Sequence, residues 1–224
     1  MRVAALCSGG KDSTFALWLA QKEKHVVDRI LAMIPLREDS WMFHSSNIHL
    51  IDLFAKCVEL PLTKIKTSGL KGEEIEDLRR AIKSLGVEGV ISGAIASKYQ
   101  KSVIDGICQE LGLVHLAPLW GREPAELLRE IVETGFEVII TSVAAYGFDE
   151  SWLGRKIDRA SIEDLMKLHE RFKINVAGEG GEFETLVLDG PLFKRKIEVK
   201  KARRIWRGDR GYLLIEEASI SERW

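Results

Sequence analysis

Apolar and polar positions alternate in blocks through the first half of the chain. Short apolar runs are followed by longer segments in which apolar side chains recur every three or four residues, a spacing typical of amphipathic helices. The short runs predict strands at residues 3–7, 29–35, 62–66, 87–92 and 114–117, and the longer segments predict helices at 12–24, 47–60, 72–85 and 97–111. Repeated units of this length predict a doubly wound parallel sheet, an α/β fold.

The pattern changes after Pro118. One further helix and strand are predicted at residues 124–134 and 137–142 and another helix at 161–172, followed by strands at 184–188, 195–199 and 212–217 with a more antiparallel character. We therefore expect an α/β domain at residues 1–120 and a smaller, closely packed α+β domain at residues 121–224.

Composition and charge narrow the class of protein. The 33 basic and 34 acidic residues give a net charge of −1, which argues against binding nucleic acid through the whole surface. No apolar stretch approaches the roughly 18–20 residues of a membrane-spanning helix, so we expect a cytoplasmic protein without a membrane partner. Three widely spaced cysteines without a C-x-x-C pair favour buried, reduced thiols, and they argue against a zinc ribbon or a disulfide framework.

A glycine-rich segment, SGGKDS at residues 8–13, joins the first predicted strand to the first helix. The segment follows the carboxyl end of the first strand, and doubly wound sheets bind ligands at the carboxyl ends of their strands. The N-terminus of the following helix offers unpaired N–H groups to an anion. Hydrogen bonds to a charged acceptor are worth about 1.5–3 kcal/mol each, against about 0.3–1 kcal/mol for the helix dipole. The hydrogen-bond donors therefore contribute more to the affinity for an anion than the dipole does. The adjacent glycines distinguish the segment from G-x-x-x-x-G-K-[ST] and G-x-G-x-x-G. An ordinary Gly-Gly turn with an Asp or Ser N-cap is the alternative.

Several motifs carry a family resemblance. SGGKDS is similar to the PP-loop of the ATP pyrophosphatases, which grips the β,γ-pyrophosphate of ATP. The segments SWMFHSSN (40–47), SGAIASKYQK (92–101), APLWGR (117–122), DESWLGR (149–155) and GEGGEFETLVLDGPLF (178–193) all resemble the diphthine–ammonia ligase family. The resemblance runs from residue 4 to about residue 196, which is most of the chain.

The resemblance implies a reaction and its participants. ATP would activate the carboxylate of diphthine, a modified histidine of elongation factor 2, as an acyl-adenylate, and ammonium would supply the amide nitrogen with release of AMP and pyrophosphate. Residues 1–120 would then bind ATP and residues 121–224 the substrate. The residues implied at the ATP site are Ser8, Gly9, Gly10, Lys11, Asp12, Ser13, Gly93, Ala94, Ile95, Tyr99 and Gln100.

The resemblance also implies catalytic roles. Lys11 would place a cation near the phosphates, and Asp12 would hold Mg²⁺ directly or through water. Capping of the first helix is the alternative role for Asp12. Tyr99 is equally compatible with a packed ring in the core.

An acidic cluster lies in GEGGEFET, where Glu179, Glu182 and Glu184 fall within six residues beside three glycines. Carboxylates suit a cation, which here would be ammonium, the trimethylammonium group of diphthine or Mg²⁺. We predict that all three bind substrate and that Glu182 is catalytic. A carboxylate of this cluster whose pKa was raised by burial would be able to deprotonate ammonium. A solvated acidic turn is the alternative.

Three further residues in the matched motifs are predicted to contact the substrate, namely His44, Trp120 and Trp152. Residues 194–210 carry nine basic and two acidic side chains, a net +7. This charge fits the solvated face of an edge strand, or a docking patch for elongation factor 2 or RNA. Two other functions stay open, a PP-loop tRNA-modifying enzyme and a non-catalytic ATP-binding sensor, and so does a homo-oligomeric state.

Overall fold

The computed structural model describes residues 1–36, 47–70 and 72–223. Its first sheet has the strand order β3-β2-β1-β4-β5, and every neighbouring pair is parallel. The strands are β1 (Arg2–Leu6), β2 (Val26–Pro35), β3 (Leu62–Thr67), β4 (Gly89–Ile91) and β5 (Val114–Leu116). The predicted α/β class is therefore confirmed.

Helices cover both faces of this sheet. They are α1 (Lys11–Lys22), α2 (Ile51–Val58), α3 (Glu73–Ser84) and α4 (Lys98–Leu111). Neighbouring residues of β2 alternate between the two faces: Ile30 and Ala32 pack in the core with α1 and α2, whereas Leu31 and Met33 pack with α3 and α4. The helix predicted at 47–60 is shorter than expected, because residues 48–50 form a 3₁₀ turn and Glu59 ends the helix in the left-handed region with φ 54°.

The second sheet is antiparallel, with the order β7-β6-β9-β8. Its elements are α5 (Pro124–Glu133), β6 (Glu137–Val143), α6 (Arg159–Phe172), β7 (Phe183–Asp189), β8 (Lys196–Arg207) and β9 (Arg210–Ser221). The strand predicted at 137–142 is confirmed, and it belongs to this second sheet.

The long hairpin β8–β9 carries most of the basic segment. β8 is an edge strand, and its Lys201 and Arg203 form ion pairs with Glu216 of β9 at 2.8 and 3.3 Å. The charged side chains are largely exposed, as expected for the solvated face of an edge strand.

One continuous core joins the two sheets. Phe15 of α1 meets Phe136 edge to face at 5.7 Å, and both belong to a cluster that includes side chains of β6 and β7. The three cysteines are buried and free, as predicted. Within the described ranges, no helix combines the length and the apolar character needed to cross a membrane.

Candidate functional site

The segment between β1 and α1 is a tight loop at the carboxyl edge of the first sheet. Gly9 has φ +86°, a conformation that favours glycine, and its carbonyl accepts a hydrogen bond from the N–H of Val187 at 2.9 Å. Gly10 is the N-cap residue of α1, and no side chain caps the helix there. The alternative role of Asp12 as the N-cap is therefore wrong, because Asp12 lies in the first turn of the helix.

Two adjoining cavities open over this loop. The inner cavity, of about 210 Å³, has a mainly apolar wall that includes Leu31, Met33 and Ile104. The outer cavity, of about 590 Å³, extends to β7 of the second sheet. Both are lined by Ser8, Gly10, Asp12, Gly93 and Gln100. The outer cavity lies within the size range of small-molecule sites, about 300–1,000 Å³, and the inner cavity lies below it.

Lys11 and Asp12 form a pair at the start of α1. The Lys11 side chain is only 3% exposed. Its ammonium donates to Asp12 Oδ2 at 2.9 Å and to the carbonyl of Ala177, and it lies 5.1 Å from the centre of the Phe183 ring. Burial raises the pKa of Asp12, the Lys11 ammonium opposes that shift, and the Glu179 carboxylate adds to it. The other oxygen of this carboxylate, Oδ1, is buried and has no hydrogen-bond partner in the described part of the chain. Asp12 lines both cavities, and a carboxylate with such an oxygen is suited to a cation.

A second loop, residues 92–97 between β4 and α4, packs directly on the start of α1. A Cβ atom added to Gly93 would lie 2.6 Å from the backbone nitrogen of Ser13, closer than real Cβ contacts allow. Gly93 and Ala94 line the inner cavity, while Ile95 is fully buried. Only glycine permits the two loops to approach this closely.

The Glu179 carboxylate fills a nest of three consecutive backbone N–H groups at the start of α4. Its Oε1 accepts from Ile95 at 2.7 Å and from Ser97 at 3.0 Å, and its Oε2 accepts from Ala96 at 2.7 Å. Such a nest favours a negative charge. Glu179 therefore fastens the glycine-rich loop at 178–181 to the loop between β4 and α4.

The other two glutamates of the acidic cluster point to different places. Glu182 does not line the outer cavity. Its Oε1 accepts from the N–H of Asn175 at 2.8 Å. Its Oε2 is buried without a hydrogen-bond partner in the described ranges. Glu184 lies on β7 and lines the outer cavity beside Thr141 and Thr185. The acidic cluster is therefore divided among three environments rather than forming one carboxylate patch.

The remaining predicted residues are distributed unevenly. Tyr99 and Gln100 line the outer cavity, next to the predicted loop residues. Trp120 is partly exposed beneath the ammonium of Lys101, and Trp152 is buried against Phe148, so neither lines the two cavities. His44 lies outside the described residues.

Two residues that contact the loop between β1 and α1 were not predicted from the sequence motifs. The Thr185 hydroxyl, within the matched GEGGEFET segment, accepts from the N–H of Lys11 at 3.1 Å. The sulfur of Cys7 lies under the loop, 3.4 Å from both the Gly9 nitrogen and the Ser13 hydroxyl. Burial raises the pKa of the Cys7 thiol. The signals in the sequence were the place of Thr185 inside a matched motif and the place of Cys7 directly before the SGGKDS segment.

Replacing Thr185 with valine removes the hydroxyl that accepts from Lys11 and keeps the shape of the side chain. We expect the free energy of unfolding to fall by about 1 kcal/mol, because the buried N–H loses its acceptor. Urea denaturation measures this change. Thr185→Ser keeps the hydroxyl, and a loss as large as that of valine would contradict the explanation.

The order of the strands explains where the cavities lie. The chain leaves β1 toward β2 on one side and later returns to β4 on the other, so the loops after β1 and β4 diverge and a crevice opens between them. The fold and the site thus define a doubly wound α/β protein with a ligand crevice at its topological switch point.

Comparison with known families makes the assignment specific. The model described as the diphthamide synthase N-terminal domain matches residues 1–115, and the one described as the diphthamide synthase C-terminal domain matches residues 123–220. The chain belongs to the diphthamide synthase family.

Similar proteins carry a consistent name. Proteins named diphthine–ammonia ligase are 37% identical in Rattus norvegicus, covering 92% of this chain and 85% of that protein, and 36% identical in Homo sapiens, covering 89% and 83%. A solved structure described as a predicted subunit of tRNA methyltransferase from Methanocaldococcus jannaschii has a TM-score of 0.42 and 18% identity, covering 76% of this chain and 88% of that one. This second likeness is too weak to support a functional argument.

Proposed function

We propose that this protein is an ATP-dependent diphthine–ammonia ligase that amidates the diphthine carboxylate of elongation factor 2. The carboxylate oxygen would attack the α-phosphorus of ATP, pyrophosphate would leave, and ammonia would displace AMP from the acyl-adenylate with loss of a proton. One observation carries the proposal: the SGGKDS loop of the first domain and the acidic loop of the second line a single crevice. Both family domains and the similar ligases support it.

The first domain would hold the nucleotide. The loop at residues 8–10 and the first turn of α1 supply backbone and hydroxyl donors for the phosphates. Asp12 fits Mg²⁺, because this residue lines both cavities and its buried Oδ1 has no hydrogen-bond partner among the described residues. Asp12 would hold the ion, and the ion would supply positive charge that balances charge developing on the leaving pyrophosphate. Lys11 adds a positive charge whose position is fixed by Asp12 and Ala177.

The second domain would hold the diphthine side chain and ammonium. Glu184 faces the outer cavity, where a carboxylate attracts either the trimethylammonium group or ammonium. Glu179 would act through the backbone it holds. Catalysis by Glu182 stays a prediction, as do substrate contacts by Trp120, Trp152 and His44. We also propose that the protein is cytoplasmic. We further propose that the boundary between its two domains lies near residue 120.

The test is an assay with Mg-ATP, ammonium and elongation factor 2 that carries diphthine. We expect AMP in equal amount to the amide found by mass spectrometry. In Ser13→Ala and Asp12→Asn both products should fall by about tenfold or more, because one contact with a charged group is worth about 1.5–3 kcal/mol. Glu163→Gln, an exposed change on α6, should leave both unchanged.

Three outcomes would contradict the proposal. AMP release that requires tRNA instead of elongation factor 2 would assign the protein to RNA modification. Tight ATP binding without AMP under either condition would identify a nucleotide sensor. Amide formation that is unaffected in both variants would remove the SGGKDS loop from the reaction.

A further inference from the structure

Three side chains form a chain of hydrogen bonds behind the inner cavity. Ser92 follows β4, His115 lies in β5 and Asp105 lies in α4. The Ser92 hydroxyl is 2.7 Å from Nε2 of His115, and Nδ1 of the same ring is 2.6 Å from Oδ1 of Asp105. Ser92 and the imidazole are each only 4% exposed, and Ser92 lines the inner cavity.

The direction of each hydrogen bond follows from the charges. Lys101 donates to Asp105 Oδ2 at 2.6 Å, and the hydrogen bonds from Lys101 and His115 lower the pKa of Asp105, so this carboxylate only accepts. Burial lowers the pKa of His115, which favours the neutral ring. Its single hydrogen is therefore on Nδ1, and Nε2 accepts the hydrogen of the Ser92 hydroxyl.

This arrangement leaves Ser92 one function toward the cavity. Because its hydrogen is committed to His115, only the lone pairs of its oxygen are available to a ligand. Among the described residues, the inner wall is otherwise largely apolar, with Leu6, Leu31, Met33 and Pro35 around it, and Gln100 is the other polar side chain outside the loop of residues 8–13. A fixed acceptor in such a wall discriminates between ligands, because an unmatched polar group there is costly.

We propose that the Ser92–His115–Asp105 chain makes Ser92 a fixed hydrogen-bond acceptor that selects the nucleotide by a donor on its nucleoside. The donor is either the exocyclic amino group of adenine or a ribose hydroxyl. Guanine presents an oxo group where adenine presents its amino group, so two acceptors would face each other if the base lies here. The inference rests on the proposed function only in placing ATP within this crevice. His115 and Asp105 are positioning residues, since they act through Ser92.

A serine nucleophile is the competing explanation, because the same residue types activate serine in hydrolases. An oxyanion hole would then be needed close to Ser92. The consecutive N–H groups of residues 95–97 are the obvious donors, and the Glu179 carboxylate already occupies them. Orientation of the hydroxyl is therefore the function that the geometry supports.

The experiment measures dissociation constants by calorimetry with the full chain. The nucleotides are ATP, the triphosphate of purine riboside, which lacks the amino group, 2′-deoxy-ATP, 3′-deoxy-ATP and GTP. We expect the wild-type protein to bind ATP more tightly than one analogue that lacks a donor, by about tenfold or more. Loss with the purine riboside analogue assigns the contact to the base, and loss with a deoxy analogue assigns it to the sugar.

Two variants test the hydrogen bonds that join Ser92, His115 and Asp105. Ser92→Ala should reduce that preference to less than about threefold. Asp105→Asn should do the same, because the asparagine amide donates to Nδ1, moves the ring hydrogen to Nε2 and turns the Ser92 hydrogen toward the cavity. If the donor is the amino group, affinity of Asp105→Asn for GTP should rise at least about threefold. Asp105 is 43% exposed, so this variant is expected to fold.

Glu110→Gln is the matched control, since it removes one carboxylate from the same helix at a site paired with Arg79. The control should keep the wild-type preference. The inference is overturned if wild type shows no preference, if both variants keep it, or if a fluorophosphonate labels Ser92 in a His115-dependent reaction. Nucleotide preference without amide formation would overturn the proposed function alone, and amide formation without preference would overturn this inference alone.

Discussion

Replacing Gly93 with alanine is expected to abolish measurable ATP binding. The new methyl group would lie 2.6 Å from the Ser13 nitrogen and 2.7 Å from the Asp12 carbonyl carbon, which are both backbone atoms that cannot rotate away. The two loops must separate, and overpacking of this kind costs about 1–3 kcal/mol of folding free energy. Calorimetry with Mg-ATP measures the binding, and urea denaturation measures the stability.

Gly106 provides the matched control for this change. It lies in α4, and an added Cβ would meet nothing within 4 Å. Gly106→Ala should retain ATP binding and gain about 1 kcal/mol in stability, since alanine is the better helix former. Equal behaviour of the two alanine variants would show that close approach of the loops is irrelevant to binding.

Truncation of Glu179 to alanine is the second change with a large expected effect. Three backbone N–H groups at the start of α4 lose their acceptor, and hydrogen bonds to a charged group contribute about 1.5–3 kcal/mol each. Solvent will replace part of this, so we expect a loss of about 3 kcal/mol in unfolding free energy. Release of the 178–181 loop should also lower amide formation by about 100-fold, because small displacements in a reacting site are costly.

Graded variants separate this explanation from a general effect of charge. Glu179→Gln keeps one carbonyl acceptor and should lie between wild type and alanine in both stability and amide formation. Glu163→Gln removes a carboxylate from the exposed surface of α6 and should shift stability by no more than about 0.5 kcal/mol. Undiminished amide formation by Glu179→Ala would show that this contact does not organise the site.

The spacing of apolar residues predicts most of the helices and strands, because an element that buries one face has apolar side chains at regular intervals. It predicts β8 and β9 as too short. Residues 200–207 are held in the strand by hydrogen bonds to β9 rather than by burial, and the tight turn at Gly208 has φ +68°. The sheet to which β6 belongs was not predictable either, since its partner strands lie far along the chain.

In the candidate site too, local motifs are recognisable from the sequence, whereas contacts between distant residues are not. The loop at residues 8–13 is recognisable because glycines, serines and a helix start coincide in one short segment. Spacing does not reveal that Glu179, Glu182 and Glu184 face three different environments, since that depends on the turn before β7. Ser92, His115 and Asp105 meet only after α4 packs on the sheet, so no local pattern indicates their contact.

The hydrogen bond between Lys11 and Thr185 has a consequence for the newly made chain. The two residues are 174 positions apart, so the ribosome must add nearly the whole of both domains before the loop after β1 meets its support. At about 5–20 residues per second, that interval is roughly 10–35 s. During this time the loop lacks the hydrogen bond from the Lys11 N–H to Thr185. If this loop binds ATP as we propose, we expect competence to use ATP to be a late event in biosynthesis, gained only when β7 has emerged and paired.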